Sequence, residues 1–203
     1  MIIYIDPFKS EMVGTPLPKD VADVLVMTHQ HEDHNQRDVI TGPLKRESTF
    51  VIEHEGEYEI AGTQFSVLRT FHDKNNGADR GKNLIVSIMM EGLNIVNLGD
   101  LGHSLPDAQI EKLGNVDVLM IPVGGHYTID GDDAMDLIKE IQPSYVIPMH
   151  FKTATSPAGL DVLSTLEKFL EKNKFPLAGE PVHKVKIDQG SLPDDTQILV
   201  MNV

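Results

Sequence analysis

His29-Gln30-His31-Glu32-Asp33-His34 follows, one residue on, a wholly apolar run, Val24-Leu25-Val26-Met27. Four consecutive apolar residues of this kind read as a strand buried on both faces of a covered sheet. Any fold must therefore lead a buried strand into a dense group of imidazoles and carboxylates. His29 and His31, two apart in an extended segment, project to one side. Asp33 and His34 come at the next turn and face a second position beside the first. The chain has no cysteine, which excludes thiolate zinc sites, disulfide frameworks and thiol nucleophiles. Imidazole and carboxylate are the ligands that zinc-like divalent ions accept when thiolate is absent. Four of them in six residues suit a site for two neighbouring ions. The competing reading, a solvated loop or a helix start capped by Asp33, leaves three histidines behind an apolar strand unexplained.

The rest of the chain reads as strands first, then strands alternating with helices. β-rich runs occupy 2–5, 49–52, 64–71, 84–90 and 93–98, and Gly92 reads as a hairpin turn between the last two. From residue 116 the rhythm changes. A strand at 116–121 precedes a helix with Ala134, Leu137, Ile138 and Ile141 on one face, ended by Pro143. A strand at 145–147, a second amphipathic helix marked by Leu160, Leu163, Leu166 and Leu170, and strands near 182–187 and 197–201 complete the pattern. The expectation is an α/β sandwich in one domain over 1–203. Three further strand ends carry candidate ligands: His72 after 64–71, Asp100 after 94–99 and His150 after 145–149. In covered α/β sheets ligand groups collect at the carboxyl ends of strands, so four such ends together point to a metal centre.

Composition narrows the partners. With 17 basic against 31 acidic residues the formal charge is −14, a surface that repels phosphate backbones and anionic membranes. Nucleic acid is therefore not expected. No run approaches the about 18 apolar residues of a membrane span. The N-terminus lacks a basic segment followed by a long apolar run, so a cytoplasmic protein is expected.

His29-x-His31-x-Asp33-His34 followed by His72, Asp100 and His150 resembles the metallo-β-lactamase superfamily. The strings Tyr4-Ile5-Asp6-Pro7, Asn97-Leu98-Gly99-Asp100-Leu101-Gly102-His103, Pro122-Val123-Gly124-Gly125 and Ile147-Pro148-Met149-His150 are similar to one branch. That branch holds hydrolases related to ascorbate-6-phosphate lactonase and N-acyl-phosphatidylethanolamine phospholipase D. The resemblance runs from about residue 3 to residue 151. It implies a four-layer αββα sandwich with two divalent ions, zinc first and manganese or iron as alternatives, on the rim between the sheets. His29, His31 and His72 would hold one ion; Asp33, His34 and His150 the other; Asp100 would bridge them. Histidine rather than glutamate at 31 favours hydrolysis over the iron-dependent oxygen chemistry of other branches. The family pattern carries an extra strand pair ahead of the stretch matching Tyr4–Pro7, shortened here. A sheet edge left unpaired there would invite a second copy of the chain.

The function expected is hydrolysis of a small anionic molecule, a lactone or other ester or a phosphodiester, by hydroxide held between two ions. Asp33 would aim that hydroxide. His103 and His126 are candidates for oxyanion stabilisation or leaving-group protonation, with an exposed loop histidine as the alternative for each. Arg80, in a glycine-containing basic loop with Lys74 and Lys82, would hold the substrate's negative charge; a solvated loop is its alternative. Two other functions compete: an iron-dependent oxidoreductase on the same fold, and a non-catalytic metal-binding protein.

Overall fold

The computed structural model describes residues 1–43 and 48–202. Its first half supplies β1 (Ile3–Ile5), a one-turn helix α1 (Ser10–Val13), β2 (Asp20–Val21), β3 (Val24–Val26), β4 (Ile40–Thr41) and β5 (Phe50–Ile52). Four longer strands follow: β6 (Gly56–Ile60), β7 (Thr63–Phe71), β8 (Lys82–Met90) and β9 (Leu93–Asn97). Helices and strands then alternate as α2 (Asp107–Leu113), β10 (Val118–Pro122), α3 (Gly131–Ile141), β11 (Tyr145–Met149), α4 (Leu166–Lys172) and β12 (Gln197–Ile198).

β1, β3 and β5 pair in parallel, with Leu25 opposite Tyr4 and Val51. The larger sheet has seven strands in the order β12-β11-β10-β9-β8-β7-β6, antiparallel through β6 to β9 and parallel from β9 to β12. Alternation along the strands sets the layers. Val24 and Val26, with Ile52, meet Phe65 and Val67 of β7 and Leu84, Val86 and Ile88 of β8 between the sheets. Leu25 and Met27 point the other way and are covered by Ala22, Val39 and Ile40. β3 is therefore buried on both faces, as its sequence requires.

On the outer face of the large sheet, Ile85, Val96, Leu119, Ile121 and Val146 pack under Leu113 of α2, Ala134, Leu137 and Ile138 of α3, and Phe169 of α4. The Asp130 side chain caps α3 by accepting from the Asp132 and Asp133 N–H groups, a contribution of about 1 kcal/mol. The expected αββα order is present, with a thin outer layer over the small sheet. A 3-10 turn (Arg37–Val39) and the β2–β4 ribbon lie there, and among the described residues there is no long helix.

Three segments differ from the sequence expectation. The helix marked by Leu160 to Leu170 begins only at Leu166, where the Thr165 hydroxyl accepts from Lys168 N–H; upstream, Ala158–Leu160 winds a single 3-10 turn. The strand expected at 182–187 reduces to one bridge, Val182 with Met201. Its neighbours Lys184 and Lys186 are exposed, leaving it little apolar surface to bury. The strand expected at 197–201 keeps its ladder only over Gln197–Ile198. α1, α2, β2, β4 and β6 lie outside the elements that the sequence leads one to expect.

β7 runs parallel to β9, because both are antiparallel to β8. The loops leaving β7, β9, β10 and β11 therefore emerge on one rim. There they meet the segments that follow β1 and β3.

Candidate metal centre

The loop after β3 is anchored before its first histidine. Thr28 accepts the Leu84 N–H at its carbonyl (2.9 Å), tying the small sheet to β8. Its own N–H and hydroxyl donate to the two oxygens of Asp6 at 2.7 and 2.6 Å. Asp6 closes β1 in the left-handed region at φ 48°, which is strained for a residue with a Cβ. The Asp6 carboxylate also lies 3.3 Å from His34 Nδ1. Since the Thr28 hydroxyl proton is given to Asp6, its oxygen is free to accept from His29 Nδ1–H at 3.0 Å. That fixes the tautomer and leaves the His29 Nε2 lone pair facing inward.

Asp100 stands at the centre, 3% exposed. Gly99 before it has φ 55°, and a Cβ there would come within 2.4 Å of Asn83 Oδ1. Asn83 is fully buried: its amide donates to Thr70 Oγ1 and the Leu98 carbonyl (both 2.9 Å), and its oxygen accepts the Asp100 N–H (2.8 Å). One Asp100 oxygen, Oδ2, then lies 3.1 Å from His72 Nε2, 3.1 Å from His150 Nε2, 3.5 Å from His34 Nε2 and 3.8 Å from His29 Nε2. His72 is held by Nδ1–H donation to the Tyr127 carbonyl at 3.0 Å.

Six of the seven expected ligands come together. His29, His31 and His72 present donor atoms within 4.8 Å of one another, as do His34, Asp100 and His150. Asp33 lies farther out, half-buried, with a carboxylate oxygen 3.9 Å from His34 Nε2. Asp6, with His29 and His34, forms a third group within the same 4.8 Å. Asp6 lies outside the sequence expectation, yet it too follows a strand and marks a fifth strand end on this rim.

The electrostatics ask for a cation. Burial drives His29 down to about 2, helped by His34, so this imidazole is neutral. Burial and His72 lower His31 as well. Burial would also lower His34, but the carboxylates of Asp100 and Asp6 outweigh it and raise His34 to about 9. His150 is raised against its own burial by Asp100. Asp100 in turn is held well below the usual carboxylate range: burial opposes this, and His150 and His34 overcome it. Protonated His34, with His150 shifted the same way, thus faces a buried carboxylate that a metal ion would also balance. The buried His29 Nε2 has no hydrogen-bond partner, as befits a ligand lone pair aimed at an ion. This donor set fits divalent metal.

The remaining candidates lie around this group. His103 accepts the Phe71 N–H at Nε2 (3.2 Å) and donates from Nδ1 to the Ser104 carbonyl (2.7 Å), so backbone occupies both nitrogens. It braces the strand end that delivers His72. His126 is exposed at φ 57°, its ring edge-on to Tyr127. Arg80 lines a cleft of about 660 Å³ together with His29 and His31. The cleft also has Met27 and Leu84 on its walls, and Glu53, His54, Glu55 and Arg69 around it. Asp73, beside His72, winds the next loop by accepting four backbone N–H groups, from Asn75, Gly77, Asp79 and Arg80, at 2.7 to 3.1 Å.

Residues 1–150 match the family model described as the beta-lactamase superfamily domain. A UPF0173 metal-dependent hydrolase of Thermoplasma acidophilum is 27% identical over 170 residues, covering 74% of this chain and 76% of that protein. One from Korarchaeum cryptofilum is 26% identical over 172 residues, with the same two shares. A metallo-beta-lactamase superfamily protein of Thermotoga maritima, known from its crystal structure, is 30% identical with a TM-score of 0.75. That match covers 98% of this chain and 88% of the other. Igni18, a metallo hydrolase of Ignicoccus hospitalis, shares the fold at 20% identity and a TM-score of 0.58, over 89% of this chain and 76% of its own.

Proposed function

The chain belongs to the beta-lactamase superfamily, and from that premise we propose that it is a metal-dependent hydrolase of small anionic esters, lactones or phosphodiesters. The observation that carries this reading is the pair of three-residue donor groups meeting at Asp100. His29, His31 and His72 would hold one ion, and His34 and His150 a second, with Asp100 between them. When bound, such a pair supplies Lewis acidity and brings the pKa of water toward neutrality.

The chain's own residues do the rest. The Thr28 hydroxyl and the Tyr127 carbonyl hold His29 and His72 with their Nε2 atoms inward. Asp100, kept ionised, fixes the spacing of the two groups. Asp33 accepts a hydrogen bond from the attacking water and aims it, a role supported by its half-buried carboxylate beside His34. Water attacks the carbonyl carbon or the phosphorus. His126, exposed on the rim, is the candidate donor of a proton to the leaving group. The −14 charge supports a small substrate over a polynucleotide.

Metal content per chain, measured by mass spectrometry on untagged protein purified without chelator, tests the reading together with a screen of lactones and phosphodiesters. About two zinc or manganese equivalents with turnover of either class is the expected result. Absence of bound metal after reconstitution overturns it. Bound iron with a visible absorption band would replace hydrolysis by oxygen chemistry.

A further inference from the structure

We propose that Arg80 is the anion anchor of the cleft, its guanidinium receiving a carboxylate or phosphate oxygen pair of the substrate at a set distance from His72. The inference rests on the hydrolase reading above and adds what that reading leaves open: which group selects the substrate.

The cationic side chains around the cleft differ in what they already hold. Arg37, nearby, is committed to Glu53 at 2.6 Å, and Arg69 on the cleft wall to Glu55 at 3.2 Å. Lys82 is exposed at the margin. Arg80 is half-buried, and among the described residues no carboxylate pairs with its guanidinium. In a chain with 31 acidic residues, a half-buried arginine left without a carboxylate beside two candidate ligands calls for an anionic partner from outside. A planar fork of N–H donors matches a carboxylate or phosphate edge.

Arg80 is also tied to the metal centre twice. Its guanidinium carbon lies 5.5 Å from the centroid of the Tyr127 ring, and the carbonyl of that same Tyr127 receives His72 Nδ1–H. Its backbone N–H donates to Asp73 at 2.8 Å, and Asp73 adjoins His72 in the chain. The intervening loop is tightly wound: a Cβ on Gly77 would lie 2.9 Å from the Gly81 carbonyl oxygen and from the Phe71 ring. Stacking and loop together restrict the arginine before substrate arrives, so little freedom remains to be lost on binding. A charge held at fixed distance from a candidate ligand is what positions a scissile bond.

Two readouts on the metal-loaded full chain test this. In calorimetric titrations with phenylphosphonate and with benzoate, Arg80→Ala should weaken binding of at least one probe about tenfold or more, as for a lost charge-assisted pair. Arg80→Lys, which keeps the charge without the fork, should recover part of the loss. Which probe responds distinguishes phosphate from carboxylate. Tyr127→Leu, which retains the backbone carbonyl to His72, should weaken the same probe to a smaller degree. In kinetics, a lactone bearing a carboxylate is compared with its methyl ester. Arg80→Ala should raise KM for the acid about tenfold, leave KM for the ester unchanged and leave kcat within about twofold. Unchanged metal content and melting temperature certify the variant's fold. Equal binding of both probes by Arg80→Ala and wild type overturns the proposal, as does an equal rise in KM for acid and ester. If loaded wild type turns over neither lactone, the hydrolase reading is what suffers, and the titrations alone then decide for or against the anchor.

Discussion

A single methyl group added at Gly124 should displace His150, one of the proposed metal ligands, while leaving both sheets standing. A Cβ there would lie 2.0 Å from the His150 carbonyl oxygen, where ordinary contact begins at 3.4 Å, so something must yield by about 1.4 Å. The Gly124 loop is poorly free to move. Its carbonyl accepts the Ser164 N–H at 2.8 Å, Gly124 bridges to Asp130, and Asp130 caps α3. His150 is less secured: its backbone sits at φ 53° and its buried Nδ1 has no hydrogen-bond partner. The displacement therefore falls on His150, whose Nε2 stands 3.1 Å from Asp100. Metal–ligand distances hold within about 0.2 Å, so a shift of this size takes the imidazole out of reach. Loss of an outer-shell contact alone weakens metal binding about 10–100-fold, and losing a ligand should do no less. Overpacking adds about 1–3 kcal/mol of destabilisation, or about 2–4 °C in Tm for each kcal/mol in a chain of this length. The assay is metal content after dialysis against graded chelator, with calorimetric melting alongside. Gly159→Ala is the control, because no heavy atom lies within 4 Å of its would-be Cβ. Wild-type metal retention by Gly124→Ala at every chelator concentration would refute the reasoning. His150→Ala then tells whether the error lay in the ligand assignment or in the rigidity of the rim.

Asn83→Leu should leave the Asp100 N–H and the Leu98 carbonyl buried without partners, at about 1–3 kcal/mol each; a loss below about 1 kcal/mol in urea unfolding would contradict the network. In chelator, His34 bears on stability with a definite sign. Its folded pKa, about 9, exceeds the ordinary 6.5, so its contribution is complete below pH 6.5 and fades as pH rises through 9. The metal-free melting temperature should fall over that window, and adding zinc at pH 7.5 in weak buffer should release protons; silence from the pH electrode would count against proton-for-metal exchange. Asp73→Asn should speed hydrogen exchange at Asp79 and Arg80, whose N–H groups both donate to Asp73 Oδ2. Burial would raise the Asp73 pKa, but the N–H groups of Arg80, Gly77, Asn75 and Asp79 prevail and lower it to about 2. This contribution is present above pH 3.8 and lost as pH falls through 2, so wild-type protection of the loop should survive at pH 4.

What could be read from the sequence followed from burial and periodicity. β3 is apolar at every position, so its burial on both faces is visible in the chain itself. The candidate ligands are visible because they follow strands, and parallel strands deliver their ends to one rim. α3 shows a clean apolar stripe and ends at Ile141, two residues before Pro143. Other features depend on tertiary partners that periodicity does not reveal. β6, Gly-Glu-Tyr-Glu-Ile, is a charged edge strand of the seven, and only Ile60 among its residues is buried. Leu160 and Leu163 share the spacing of Leu166 and Leu170, yet Thr165 caps a new helix between them. Asp33 lies outside the ligand groups because the turn closed by His34 N–H on the His31 carbonyl, at 2.9 Å, sets where its side chain points. Arg80 reads from the sequence as an anion holder or a solvated loop residue, and its restraint by Asp73 and Tyr127 is visible only in the fold.

The same contacts bear on how metal and folding are coupled. The inward nitrogens of His29 and His72 are set by a hydroxyl and a main-chain carbonyl, and Asp100 is set by Asn83. Each of these contacts is made by the chain's own groups. Beneath them lie two apolar clusters, one between the sheets and one under α2, α3 and α4. The rim is therefore braced by the chain itself, with His34 and His150 both raised by the Asp100 carboxylate they face. In small metal-dependent domains, by contrast, binding free energy is folding free energy. Here an ion should stabilise by mass action on a structure already formed, raising Tm with the logarithm of its free concentration. Chelator should then lower Tm without abolishing the far-ultraviolet dichroism of the folded chain at 25 °C. Collapse of that signal on chelation would mean that the ligands organise the rim, and not the rim the ligands.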